Sequence, residues 1–109
     1  MSRELSQPIA KYFEGVNALD SDVAIVGFDG DAVVRDEGRE HVELAAIHAW
    51  AQDTILRDAT QVSIEDTTER GSSVGVLATL TGRFMGSPIR LRFSFHLQAD
   101  RVQYLEIAS

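Results

Sequence analysis

The side chains in this 109-residue sequence that could carry chemistry are few, and their spacing excludes most reaction classes. Two imidazoles four residues apart on a helix can grip a metal, yet His41, His48 and His96 include no such pair and no His-Glu-x-x-His run. His41 and His48 are seven apart and share a helix face beside Glu37, Glu40 and Glu43, which reads as a solvated surface. No metal ligand set is expected. With no cysteine, a thiolate nucleophile, a disulfide framework, a zinc finger and an iron–sulfur cluster are excluded. Gly27-Phe28-Asp29-Gly30 has neither the repeat of a dinucleotide fingerprint nor the lysine of a phosphate loop, and no serine stands in a nucleophile elbow. Carboxylate and phenol chemistry remain. As residues alone, Asp36-Glu37-Gly38 reads as a solvated turn, and Tyr12 as a core side chain with its hydroxyl at an edge.

The elements that would position these groups follow from periodicity. Ile9, Tyr12, Phe13, Val16 and Leu19 recur at helical intervals behind Pro8, so residues 8–18 are expected to be a helix. Ser21-Asp22 starts a second helix, and an apolar segment from Val23 to Phe28 ends at Asp29-Gly30. Residues 32–35 read as a short strand closed by Asp36-Glu37-Gly38. Residues 41–57 give the longest helical pattern, with Leu44, Ile47, Ala51 and Ile55 in one stripe and Trp50 beside it. Beyond Arg57 the period becomes alternating. Strands are expected at 62–65, 74–84, 89–97 and 102–107; the third is apolar at every odd position, which puts His96 on one face with Arg90, Arg92 and Ser94. Helices segregated from consecutive hairpin strands mean an α+β fold with the sheet wrapped over the helices.

Composition narrows the partners. The chain has 44% hydrophobic and 25% charged residues, with no linker or repeat, so one domain spanning 1–109 is expected. The net charge of −7 lies wholly in residues 1–58, with twelve acids against five bases, while residues 59–109 balance five against five. A nucleic-acid or anionic-membrane surface needs a basic stripe, and the acid-free stretch 71–99 carries only Arg83, Arg90 and Arg92. The opening Met-Ser-Arg-Glu-Leu-Ser-Gln-Pro lacks the apolar segment of a signal peptide, which points to the cytoplasm.

Three passages, in this order, resemble the nuclear transport factor 2-like superfamily, which includes ketosteroid isomerase and the SnoaL-like polyketide cyclases. They are Tyr12-Phe13-Glu14-Gly15-Val16-Asn17-Ala18-Leu19-Asp20, then Phe28 to Asp36, then Ala46-Ile47-His48-Ala49-Trp50 with the terminal hairpin Phe95-His96-Leu97 to Leu105-Glu106-Ile107. Glu43 departs from the pattern, standing where many relatives have glycine before the long helix. The resemblance implies a curved sheet folded as a cone around an apolar cavity, no cofactor, and a homodimer through the outer sheet face, where His96 lies. It implies a small apolar or aromatic ligand held among Val16, Phe28, Val34, Trp50, Phe93 and Phe95. It also implies Asp36 as a base beside a carbonyl and Tyr12 as the hydrogen-bond donor to the developing oxyanion. The isomerase's second oxyanion donor, a protonated aspartic acid, has no counterpart, because residues 71–99 contain neither Asp nor Glu. The same gap weakens the resemblance to the cyclases, and the Arg-x-Asp pair of the epoxide-hydrolase branch is absent. The expected function is therefore proton abstraction next to a carbonyl or, alternatively, non-catalytic ligand binding or dimerisation on the same fold.

Overall fold

A computed structural model describes residues 5–109; the opening Met1–Glu4, part of the stretch read above for targeting, lies outside the described residues. Helix α1 (Gln7–Asn17) carries Pro8 in its first turn, where its missing N–H would have had no partner. Its stripe of Ile9, Tyr12, Phe13 and Val16 is buried. Gly15 lets α2 (Ser21–Ile25) cross at close range, since a Cβ there would fall on the Ala24 backbone. Asp20 caps α2 by accepting from Val23 N–H at 3.2 Å. Asn17 then acts as a peg: its amide donates to Val62 O at 3.0 Å and its Oδ1 accepts from Val62 N at 2.6 Å, tying the end of α1 to the sheet.

Strand β1 (Phe28–Asp36) returns as β2 (Arg39–Val42) through Glu37-Gly38, both at positive φ (54° and 75°), the backbone pattern of a two-residue type I′ hairpin turn. Helix α3 (Glu43–Gln52) follows and runs into a single π-helical turn, Asp53–Arg57. Strands β3 (Gln61–Arg70), β4 (Ser73–Thr81), β5 (Ile89–Gln98) and β6 (Arg101–Ala108) complete the chain. They form one six-stranded sheet in the order β2-β1-β6-β5-β4-β3, antiparallel throughout except for the parallel pair β1–β6. The α+β expectation holds: a mixed, curled sheet closes over three helices. Val34 and Leu105 of its inner face are buried, and Phe28, Phe93 and Phe95 pack against Tyr12 of α1, with the Phe13 and Phe93 rings edge to face at 5.2 Å. Among the described residues no helix is long and apolar enough to cross a membrane.

Three expectations change. The helix expected from residue 41 opens at Glu43, and His41 sits on β2 opposite Val34, so His41 and His48 do not share a helix face. The hairpin turn sends the chain back along β1 before any helix can start. The first strand does not wait until residue 32; it runs from Phe28 through Asp29-Gly30, which mark a register shift against β6 rather than an end. Strand β3 reaches Arg70 although 65–70 show no apolar alternation, because the β4 ladder supports them. The strand expected at 74–84 is nearly right, with β4 running from Ser73 and ending at Thr81.

Glu43, the residue that breaks the family pattern, has φ 73°, a conformation that costs a side-chain-bearing residue roughly 1–2 kcal/mol. Glu43→Gly relieves that strain against a smaller loss of unfolded-state stiffness, so a thermal melt is expected to rise by a few degrees. A lowered melting temperature would show that Glu43 contributes contacts worth more than its strain.

Candidate active site at the end of the first strand

Asp36 is the last residue of β1, held between Ile107 of β6 and Arg39 of β2. That places a carboxyl where the core meets solvent, half-buried. The indole of Trp50, two turns along α3, donates from Nε1 to Asp36 Oδ2 at 3.0 Å. Burial pushes the Asp36 carboxyl above the ordinary carboxylate range. The Trp50 hydrogen bond pulls the other way, the Glu37 charge adds to the rise, and His41 and the Glu37 backbone N–H oppose it. Neither neighbouring arginine neutralises Asp36. Arg35 pairs with Glu40 at 3.6 Å, and among the described residues Arg39 makes no ion pair with it.

Tyr12 lies in the aromatic heart of the molecule, 5% exposed, its ring parallel to Trp50 at 6.3 Å and edge-on to Phe95 at 5.9 Å. Burial, reinforced by the Asp36 charge, pushes its phenol far above the usual tyrosine range, so it stays a donor at any working pH. Its hydroxyl has no hydrogen-bond partner among the described residues, yet no buried side-chain polar atom there lacks one. The hydroxyl therefore reaches open space. That space is a recess of about 60 Å³, with Tyr12, Asp36 and Trp50 on its wall together with Val16, Phe93 and Leu91. It has room for a few waters or the edge of a ring. Outside it lies a wider groove of about 390 Å³ that shares Asp36, Thr54 and Thr60 and adds Glu37, Arg57, Phe84 and Met85.

The remaining polar groups of the recess are engaged. Thr54 donates to Trp50 O at 2.9 Å and Thr60 to Thr54 O at 3.2 Å. In the groove, Arg57 is bound by Asp53 at 3.0 Å and Asp58 at 3.2 Å. The Tyr12 hydroxyl, a donor without a partner among the described residues, and the Asp36 carboxylate thus share the wall of a mostly apolar recess. A carbonyl oxygen fits the first, and an acidic C–H beside it fits the second.

Of the side chains expected around a ligand, Val16, Trp50 and Phe93 line the recess. Phe28, Val34 and Phe95 do not. They are sealed in the core, at 2%, 0% and 0% exposure, deeper in the curled sheet than the recess reaches. Seven further lining residues, Thr54, Ile55, Thr60, Val62, Leu80, Leu91 and Ile107, were not among those expected. The alternation of β5 and β6 marks Leu91 and Ile107 as inward-facing, but nothing in the sequence announces the π-helical turn that turns Thr54 and Ile55 inward. His48 bonds Asp22 of α2 at 2.8 Å, and His96 lies exposed on the outer face beside Ser73 and Tyr104, both away from the recess.

Neither a family model nor a curated protein sequence matches the chain. Solved structures do. A candidate polyketide cyclase from Sinorhizobium meliloti is 33% identical, with 94% of each chain aligned and a TM-score of 0.89. A cystatin-fold protein from Novosphingobium aromaticivorans (16% identity, 94% of this chain and 95% of that one, TM-score 0.80) shares the fold. So does a Catenulispora acidiphila protein of ketosteroid isomerase-like fold in complex with trimethylamine (13% identity, 97% and 87% covered, TM-score 0.83). The curled mixed sheet, the helices that close it and a third of its residues in common with the Sinorhizobium protein along nearly the whole chain place this protein in the nuclear transport factor 2-like superfamily.

Proposed function

We propose that this protein removes a proton next to the carbonyl of a small, largely apolar substrate and returns it to another carbon, an isomerisation that needs no cofactor. Asp36 is the base, Tyr12 the hydrogen-bond donor to the oxygen on which negative charge develops, and Trp50 the holder of the base. The observation that carries this reading is that Asp36 and Tyr12 wall one recess, the carboxyl with a raised pKa and, among the described residues, in no ion pair. A base whose pKa lies nearer the working pH takes and gives back a proton with less loss either way. The substrate's reacting edge enters the recess and its body lies in the groove outside. A panel of β,γ-unsaturated ketones, assayed with wild type and Asp36→Asn, tests it; equal rates for the two proteins would remove Asp36 as base.

The recess volume favours a second reading. About 60 Å³ admits only a fragment of a ligand, which also suits a non-catalytic binding module. The trimethylamine complex of the Catenulispora protein shows that a relative of this fold takes a small molecule. Ligand binding that survives Asp36→Asn, with no turnover by either protein, would favour that reading.

The pair of chains is part of the proposal. Arg90, Arg92, Ser94 and His96 stand exposed along β5 on the outer sheet face, a strip that can meet its own copy about a two-fold axis. Arg90 is already held by Glu65 at 3.1 Å, so Arg92 is the cation left to cross the interface. Sedimentation at micromolar concentration is expected to give twice the 12.0 kDa chain mass, and Arg92→Glu to shift the equilibrium toward the single chain. A single-chain mass for the wild type would contradict the dimer.

A further inference from the structure

His41 takes no part in the reaction proposed above, yet its ring lies against the residue that holds the base. The imidazole and the Trp50 indole are 5.9 Å apart, tilted by 31°. The same indole packs on Tyr12 and donates to Asp36. One tryptophan therefore touches both groups assigned to the chemistry and a half-buried histidine on the edge strand β2, which solvent can reach. A tryptophan side chain has two soft torsions, and a hydrogen bond at its Nε1 fixes only part of their freedom. A second ring packed at a tilt against the indole restricts the rest.

We propose that His41 is a positioning residue for Asp36 that acts through Trp50. Its ring keeps the indole where Nε1–H meets Asp36 Oδ2, and its protonation places positive charge against that pair. This rests on Asp36 being the base and adds a pH response to that site. An imidazolium over an indole face is attracted to it, and the same charge favours an ionised Asp36. The other charges around β2 leave this role to His41. Of the ionisable groups on β1, Asp36 faces the ring, whereas Arg35 pairs with Glu40. On α3, His48 is turned to Asp22, and Glu43 is exposed at the helix start. On β2 itself, Arg39 lies across from Asp36 and is exposed.

The chain has one tryptophan, so its indole N–H gives a single cross-peak in an amide nitrogen–proton spectrum. That peak is followed against pH, without substrate, in wild type, His41→Phe, His41→Ala and Asp36→Asn. In wild type it moves in two steps, and Asp36→Asn removes one of them, which identifies the carboxyl step. His41→Phe keeps a flat ring, so the peak starts near its wild-type position, the other step vanishes and the carboxyl step moves to higher pH. His41→Ala loses the ring contact, and its peak moves toward the position of an indole free of a carboxylate. The proposal is overturned by a second step that persists in His41→Phe, or by a His41→Ala peak that stays in place. Because the readout needs no turnover, it can fail while Asp36 stands as base, and it can succeed while the ketone panel fails.

Discussion

Asp36→Asn is expected to slow proton abstraction by about 10²–10⁴-fold while leaving the fold no less stable at neutral pH. The rate falls because the amide cannot accept the proton. The fold survives because asparagine still offers an oxygen to Trp50 Nε1–H, now 3.0 Å from Asp36 Oδ2. The stability arm has a definite sign. Burial disfavours the ionised carboxylate, so the folded chain binds this proton up to a higher pH than the unfolded chain, whose carboxyl titrates near 3.8. Wherever the native state binds more protons, stability falls as pH rises. The cost to wild type is absent below 3.8, grows as pH climbs through the folded value and is complete above it. Asparagine never ionises and escapes that cost. Melting curves of the two proteins should therefore diverge in favour of the variant as pH rises and converge in acid. The wild-type rate should do the reverse, failing in acid as the base is protonated. A variant that loses activity and stability together at pH 7 would mean that the carboxylate mainly holds the structure.

That pairing of roles was only partly legible in the sequence. Its residues place Asp36 at the end of an apolar strand and Tyr12 on a buried helical stripe, and only the family resemblance joins them into one site. Alternation gives the face of a strand and not the depth along it. Phe93 and Phe95 therefore look equivalent, although one walls the recess and the other is sealed in the core. Glu37-Gly38 carries a hairpin turn without the Asn-Gly or Asp-Gly signature, and that concealed β2. Losing β2 hid the contact of the His41 ring with Trp50, since a helix beginning at 41 points the histidine elsewhere. The fold as a whole was easier to read, because the change from helical to alternating period after Arg57 is a property of many residues at once. A site depends on a few side chains whose distances are set by tertiary packing.

Tyr12→Phe carries the second large effect, a loss of about 10²–10³-fold in kcat with KM little changed, as for removal of a single oxyanion donor. What sets the size of the effect is the supply of donors. Enolisation moves negative charge onto the carbonyl oxygen, and each preorganised N–H or O–H aimed at it lowers the barrier. In this recess the Trp50 N–H is bound to Asp36, and the Thr54 and Thr60 hydroxyls donate to backbone carbonyls. The acid-free stretch 71–99 supplies no protonated carboxyl to share the load. Tyr12 is left to do it, and burial keeps its proton in place at every working pH. Phenylalanine preserves the ring packing on Trp50, Phe13 and Phe95, so the melting temperature should scarcely move. The alkaline side of the pH–rate profile discriminates further. A phenol that ionised near its ordinary value of 10 would bring the rate down there, and the buried Tyr12 should not. An undiminished kcat in Tyr12→Phe would mean that the oxyanion is met by water or by substrate groups instead, and the recess would then hold a base without an electrophile.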